Sequence, residues 1–478
     1  MKRLSLAALW IAASMSPGLA LDFGVERDAM LAAKSPELFG IEAPLAEGTA
    51  ATAEEGYRTL DQSPGDELAA APGLTLEFVT RNAADSLDMM AFWPAQNPTH
   101  LIGCIEGDRE EIAPGKFNPS VQSIALADGT VTTLLRGLSA CDGIRTTPWG
   151  TIIATEEDDV GNAYEIIDPL AIKDVVVKDR ATGEVSDPAH VVKRTTLATM
   201  AWEGFLVTPE GVVIGGDEWR PGTDTPDADG GAIFKFIPAT LHNGAAITAL
   251  EQSPLVAGKT YAMQVQCRGG EIQYGQGCEI GKAAWIEIDP ANARADAMKK
   301  GATGYYRPED LHQDMSYKGA GIRFCAANTG NEEAENYAEV ICAIDLAPTE
   351  APQADAEGKL VFTTTVSRFV EGDTVANQFD NLSFQGTMAN LYVIEDHPNG
   401  DVWACLADGA DQDIKTDGCV RVFAVKDTSA EPTGFMFTDD GLTAYVSIQH
   451  SDDTNVAKLD DYGTDDLIKI TGFKLPSM

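Results

Sequence analysis

The sequence predicts an all-β protein, read as a six-bladed β-propeller with irregular insertions. Three observations carry this reading. Short apolar runs of strand length, rich in β-branched and aromatic residues, recur between Gly, Asp, Asn and Pro: "GTIIATEED", "GVVIGGDEW", "AAWIEIDP", "GIRFCAANTG", "NLYVIEDHPNGDVWACL" and "GLTAYVSIQHS". Their starts lie roughly 40 to 70 residues apart, loosely a blade with insertions. "VTPEGVVIG" and "FTDDGLTAYV" share one form, an apolar residue, Thr, two turn residues, Gly and then a strand, which suggests a repeated hairpin. Helical patterning is sparse, with "PANARADAMKKG" the best candidate. A pair of β-sandwiches is the alternative architecture.

The chain begins "MKRLSLAALWIAASMSPGLALDF". Lys2 and Arg3, a short apolar core and the small residues Gly18 and Ala20 read as a secretory signal over residues 1–20, too short to span a bilayer. No later segment is long and apolar enough to cross one, so a periplasmic or secreted protein is expected. Residues 21–72 are rich in Ala, Glu, Gly and Thr and read as an acidic, weakly structured lead-in. Residues 73–478 read as one propeller domain. Hydrophobic residues make up 44% of the chain, which excludes general disorder.

The formal net charge is −40, and loss of Lys2 and Arg3 with the signal makes it −40 − 2 = −42. Such a chain excludes nucleic acid and anionic membrane surfaces as partners. Part of the acid excess solvates the surface; part is available to ligate cations. Eight cysteines in an exported chain point to disulfides. Cys267 with Cys278, Cys325 with Cys342 and Cys405 with Cys419 are close pairs. Cys104 and Cys141 are left over, either as a fourth bridge or with Cys141 as a metal-binding thiolate.

Acids punctuate the strands: Glu156 and Glu157, Glu203, Asp217 and Glu218, Glu309 and Asp310, Asp380, Glu395 and Asp396, and Glu431. Inner strands of a propeller converge on a channel, so acids at one end of them would meet as a polyvalent cation site. Read singly, each is an ordinary solvated turn residue, except Glu203, which lies among apolar residues where an unpaired carboxylate is costly. Arg307, in a Pro-containing turn before Glu309, is either a salt-bridge partner or a fork for a phosphate or carboxylate. The six histidines form no HExxH pattern, and no GxSxG occurs.

Several segments resemble the PhoX-type alkaline phosphatases in the same order: "LDMMAFWP", "LIGCIEG", "CDGIRTTPWGTIIATEED", "GGAIFKFIP", "YYRPED", "FDNLSFQGTMANLYVIED" and "AEPTGFMFTDDGLTAYVSIQH", spanning about residues 75 to 452. The resemblance implies a propeller that hydrolyses small-molecule phosphate monoesters with iron and calcium ions at one end of its channel. It implies Cys141 as the thiolate bridging the irons. Glu203 and Glu309 become iron and calcium ligands, and Asp380, Glu395 and Glu431 further ligands. Glu106, Glu156, Glu157 and Asp396 match the family's acids, and Arg307 would hold the phosphate. The chain departs from the family at Cys104, where Asn is usual, and at Trp202, where His is usual. Its start has Lys-Arg rather than twin Arg. A calcium-dependent propeller lactonase or esterase, and a non-catalytic calcium-stabilised binding propeller, are the alternative readings.

Overall fold

Six innermost strands form a closed ring about one axis in a computed structural model that describes residues 23–46, 57–220, 230–266, 279–332, 335–407 and 418–476. They are Leu87–Trp93, Cys141–Thr146, Trp202–Val207, Pro308–Gln313, Phe379–Phe384 and Glu431–Phe437, each packed on the next and the last on the first. From each, three antiparallel strands step outward as a blade, in chain order blades 1 to 6. This is the six-bladed propeller the strand pattern predicts.

Blade 6 closes the circle. Its outermost strand, Thr75–Ala84, comes from the beginning of the domain and pairs with Thr464–Thr471 from its end. Blades 3 and 4 are joined at the periphery, where Gly281–Ile288 pairs with both Gly258–Val265 and Thr364–Glu371 and makes one nine-stranded sheet. Apolar faces of successive blades pack together, as where Trp149, Phe205, Phe234 and Phe236 meet between blades 2 and 3. The one helical stretch singled out in the sequence is the helix Ala293–Lys300, capped by Gly301 in the left-handed conformation. Asn399-Gly400 lies in a five-residue connection, 396–400, rather than the two-residue hairpin the dipeptide predicts, because Asp396 and His397 leave the strand early.

The lead-in is more ordered than its composition predicts where it is described. Phe23–Ala33 is helical, Leu31, Phe39 and Ile41 are buried against blades 5 and 6, and Leu68–Ala70 adds an edge strand to blade 5. The main tie is ionic. Arg58, fully buried, donates through Nε and Nη2 to the two carboxylate oxygens of Asp466, each at 2.8 Å, and through Nη1 to the carbonyl of Thr464 at 2.6 Å. Arg58→Ala leaves Asp466 with one of its two arginines and is expected to cost about 3–5 kcal/mol, read by urea unfolding.

Arg81 bridges Asp466, at 2.7 Å, and Glu67, at 2.5 Å. Burial, and then the adjacent charge of Asp466, push Glu67 up to about 9. A proton on Glu67 lets the two acids lie side by side. A carboxyl whose folded value is raised contributes stability that is complete below its unfolded value and lost as pH rises through the folded one. The protein is therefore expected to lose stability progressively as pH climbs from about 4.5 to about 9. Glu67→Gln, a neutral isostere, is expected to flatten that alkaline arm in thermal melts across pH.

Cys104–Cys141, Cys325–Cys342 and Cys405–Cys419 form disulfides, which suits an oxidising environment outside the cytoplasm. Cys267, Cys278 and the expected signal segment lie outside the described residues. Among those described, no helix is long and apolar enough to cross a membrane.

Candidate metal centre

A repeated irregularity builds the site. In every blade the inner strand carries one residue more than its neighbour between two paired positions. In blade 1, Leu87 pairs with Ile105 and Met90 with Gly103, leaving Asp88 and Met89 opposite one residue. Such a bulge twists the strand and re-aims its side chains. In blades 1 to 5 it falls on an acid: Asp88, Asp142, Glu203, Glu309 and Asp380. Each is the second residue of its inner strand. In blade 6 the bulge falls on Gly434 and Phe435, and that strand offers Glu431 from its first position instead.

A second tier comes from the adjoining strands, which run back to the same end. The residue directly after each is Glu106, Glu157, Glu218, Thr329, Asp396 and His450 in blades 1 to 6. Two glycines let the inner strands close in. A Cβ at Gly143 would stand 2.2 Å from the carbonyl oxygen of Glu203, and one at Gly204 would stand 1.7 Å from an Asp310 oxygen.

Two triads of carboxylates result, Asp142–Glu157–Glu203 and Glu203–Glu309–Asp380, each with one oxygen per residue mutually within 4.8 Å. Glu203 belongs to both. Asp142 Oδ1 and Glu203 Oε2 are buried without a hydrogen-bond partner. Burial first, then the charges of Asp88, Glu106 and Glu309, holds Asp142 well above the usual carboxylate range, and burial followed by the charges of Asp142, Glu309 and Glu157 does the same for Glu203. Burial first, followed by neighbouring acids, likewise raises Asp88, Glu157, Asp380 and Glu431. Glu309 is raised by burial although Arg307 opposes it. Among the described residues, the basic side chains that reach this ring, Arg307 and His450, are fewer than its acids. Hard cations, which take six to eight oxygens, fit it.

Arg307 is the cation the fold itself supplies. Its backbone sits at φ +55°, a left-handed conformation rare for a side-chain-bearing residue and concentrated at functional sites. Its Nε donates to Glu218 at 2.6 Å, and its Nη2 lies 2.9 Å from Asp396 and 3.3 Å from Glu309. Thr329 donates its hydroxyl to Glu309. On the far rim, His450 approaches Glu431 at 3.4 Å and Gln449 donates to Glu106 at 2.6 Å.

Of the residues expected from the sequence, Glu106, Glu157, Glu203, Glu309, Asp380, Asp396, Glu431 and Arg307 gather here. Three expected ligands are corrected. Cys141 is buried in the disulfide with Cys104, so no thiolate faces the acids. Glu156, one residue before the channel-facing Glu157, turns into the blade and accepts from Arg180 at 2.6 Å, Ser139 N at 3.1 Å and Asn162 Nδ2 at 2.8 Å. Glu395, one residue before Asp396, accepts from Asp401 N at 2.8 Å and Trp403 Nε1 at 3.1 Å, with His397 at 3.2 Å. Successive strand residues face opposite sides, so one acid of each pair reaches the channel. The run Glu156 to Asp159 is thereby relieved: Asp158 meets Arg180 at 3.1 Å and Asp159 meets Arg294 at 2.5 Å. Asp88 and Asp142 were not expected.

No family model matches the chain, and no curated protein matches it. Among solved structures it is similar to PhoX of Pseudomonas fluorescens in complex with vanadate, a transition state analogue. The TM-score is 0.56 at 15% identity, covering 88% of this chain and 99% of that one. It is also similar to a gluconolactonase of Xanthomonas campestris, with TM-score 0.39, 12% identity and 88% and 96% coverage. A further match is the PQQ-bound aldose sugar dehydrogenase of Streptomyces coelicolor, with TM-score 0.39, 12% identity and 84% and 99% coverage. At these identities the first likeness shows the propeller fold.

Proposed function

We propose that this chain is an exported, metal-dependent phosphomonoesterase acting on small-molecule phosphate esters, and that it works in the periplasm or outside the cell. The observation that carries the reading is the convergence of acids from all six blades on one channel mouth with Arg307 among them. The PhoX-type segments in the sequence and the fold shared with a PhoX bound to vanadate support it.

Asp142, Glu157, Glu203, Glu309 and Asp380 would hold the cations, with Asp88, Glu106, Asp396 and Glu431 around them. When bound, the cations supply the positive charge that draws in a phosphate dianion and offsets charge developing on its oxygens. Arg307 now spends its fork on Glu218, Asp396 and Glu309. Once those acids turn to cations, the guanidinium is free to grip two phosphoryl oxygens in plane. The channel walls remove bulk water, so these charges act at low dielectric.

Calcium suits the all-oxygen donor set; iron bridged by Cys141 lacks its sulfur. That same disulfide favours a second reading, the calcium-dependent propeller lactonase or esterase. One experiment separates the readings. The mature protein is stripped with chelator, reloaded with calcium or iron, and offered p-nitrophenyl phosphate and a γ-lactone. Cation-restored phosphate release supports the proposal, whereas lactone opening alone selects the second reading. Cation binding without turnover of either leaves a binding propeller.

A further inference from the structure

Below the acids, the channel holds a second feature that they do not use. A cavity of about 190 Å³ opens among the later residues of the inner strands, from Met89–Phe92 of blade 1 through Arg145 and His312 to Met436 of blade 6. The acids stand at the beginnings of these strands, so this cavity belongs to the opposite half of the channel. The floor between the two is polar. Thr433 donates to Asp88 at 2.5 Å and lies 2.8 Å from Asn381, which in turn donates to Asp380 at 2.8 Å.

Methionine, phenylalanine and small apolar residues make up one part of the cavity wall, and Arg145, Thr146, Asp310, His312, Asn381 and Asp439 the polar part. Arg145 donates Nη2 to Asp310 at 2.6 Å, and His312 Nε2 lies 3.0 Å from the other oxygen of the same carboxylate. Asp310 also accepts from the backbone N–H groups of Leu311 and Leu382, at 2.7 and 3.1 Å. It is therefore fully engaged. Two basic side chains thus share one carboxylate in a chain of net charge −40. Arg145 Nε and His312 Nδ1 have no partner among the described residues. Pockets that bind small ligands have this form: an apolar body with a few convergent donors.

We infer that this lower cavity is a binding site for a small monocarboxylate with a compact apolar body, distinct from the acid-lined mouth. The body is sized by the space, since a cavity of about 150 Å³ already accommodates benzene. The single negative charge is set by the surroundings. Arg145 and His312 offer donors to one anionic group, while Asp439 at the rim and the acids above the floor oppose a dianion. With Arg145 Nη1 donating to the carbonyl of Ile144 at 2.9 Å and Nη2 lying 2.9 Å from His312 Nε2, its Nε–H is the donor left, and a carboxylate takes such a charge-assisted hydrogen bond better than a neutral polar group does.

The test uses the full mature protein and benzoate as probe, followed by two-dimensional NMR and calorimetry. Saturable binding of one benzoate per chain is expected, with benzyl alcohol bound at least about tenfold more weakly, the scale of one charge-assisted hydrogen bond. Arg145→Gln is expected to weaken benzoate to a similar degree. Ala95→Trp, at an exposed turn on the cavity mouth, is expected to abolish binding with an unchanged melting temperature. It keeps the test decisive if the Arg145 variant fails to fold. Absence of saturable benzoate binding overturns the inference. So does binding that survives Ala95→Trp, or benzyl alcohol binding as tightly as benzoate.

Discussion

Glu203→Gln is expected to abolish cation binding at the channel mouth and, with it, cation-dependent turnover, by about 10³-fold or more, because each carboxylate triad loses the member they share. The substitution keeps the shape and removes one charge. Its effect on stability should carry opposite signs in the two forms. Without cations, Glu203 is a buried acid whose Oε2 has no partner and whose neighbours are Asp142, Glu309 and Glu157. Neutralising it relieves that repulsion, so the chelator-treated variant is expected to melt higher than the chelator-treated parent, by about 1–3 kcal/mol in stability. With calcium present the order should reverse, since the parent gains ligand-linked stability that the variant cannot. Differential scanning calorimetry with and without calcium reads both signs. Loss of stability in both forms would mean that Glu203 serves the fold.

Arg307→Ala is expected to lower kcat/KM for p-nitrophenyl phosphate by about 10³-fold while calcium content stays at the parent's level. The guanidinium is held at Nε and Nη2 by acids of three blades, which aims it at the mouth. Removing it takes a positive charge from a site that must attract a dianion. Arg307→Lys keeps the charge and loses the planar fork, so it should recover only part of the loss. Because Glu218, Glu309 and Asp396 turn to the cations in the loaded protein, the melting temperature with calcium should move little. An unchanged kcat/KM in either variant rejects the phosphate role of Arg307.

Much of this site is legible in the sequence. Glu157 and Asp396 follow apolar runs of strand length, and that position already implies a strand end. Their neighbours Glu156 and Glu395 were not separable from them by composition. Two adjacent acids at a strand end face opposite ways, and which one faces the channel depends on where the strand bends. Cys141 illustrates another limit. A cysteine beside an acid suits a metal or a bridge equally, and the choice rests on Cys104, which is distant in sequence and adjacent across blades 1 and 2. Asp88 and Asp142 were hidden because each sits inside a strand among apolar residues, where it breaks the alternation expected of a buried sheet. A signal for them exists. Leu-Asp at 88, Cys-Asp at 142, Trp-Glu at 203, Pro-Glu at 309 and Phe-Asp at 380 open one motif, an uncharged residue, an acid, any residue and then an apolar residue. The bulge that re-aims these acids is a property of the paired strands and has no composition of its own. Likewise Arg58 gives no local hint that it locks the lead-in to Asp466, far along the chain.

The central claim is that the acids of the bulged inner strands exist to gather cations. An anomalous-difference map from crystals of the mature protein supplied with calcium tests it most directly. The account predicts peaks inside the ring, within about 2.3–2.6 Å of oxygens from Glu203 and from Asp142 or Glu309. A map without density in the ring, or with peaks confined to surface carboxylates, would contradict it.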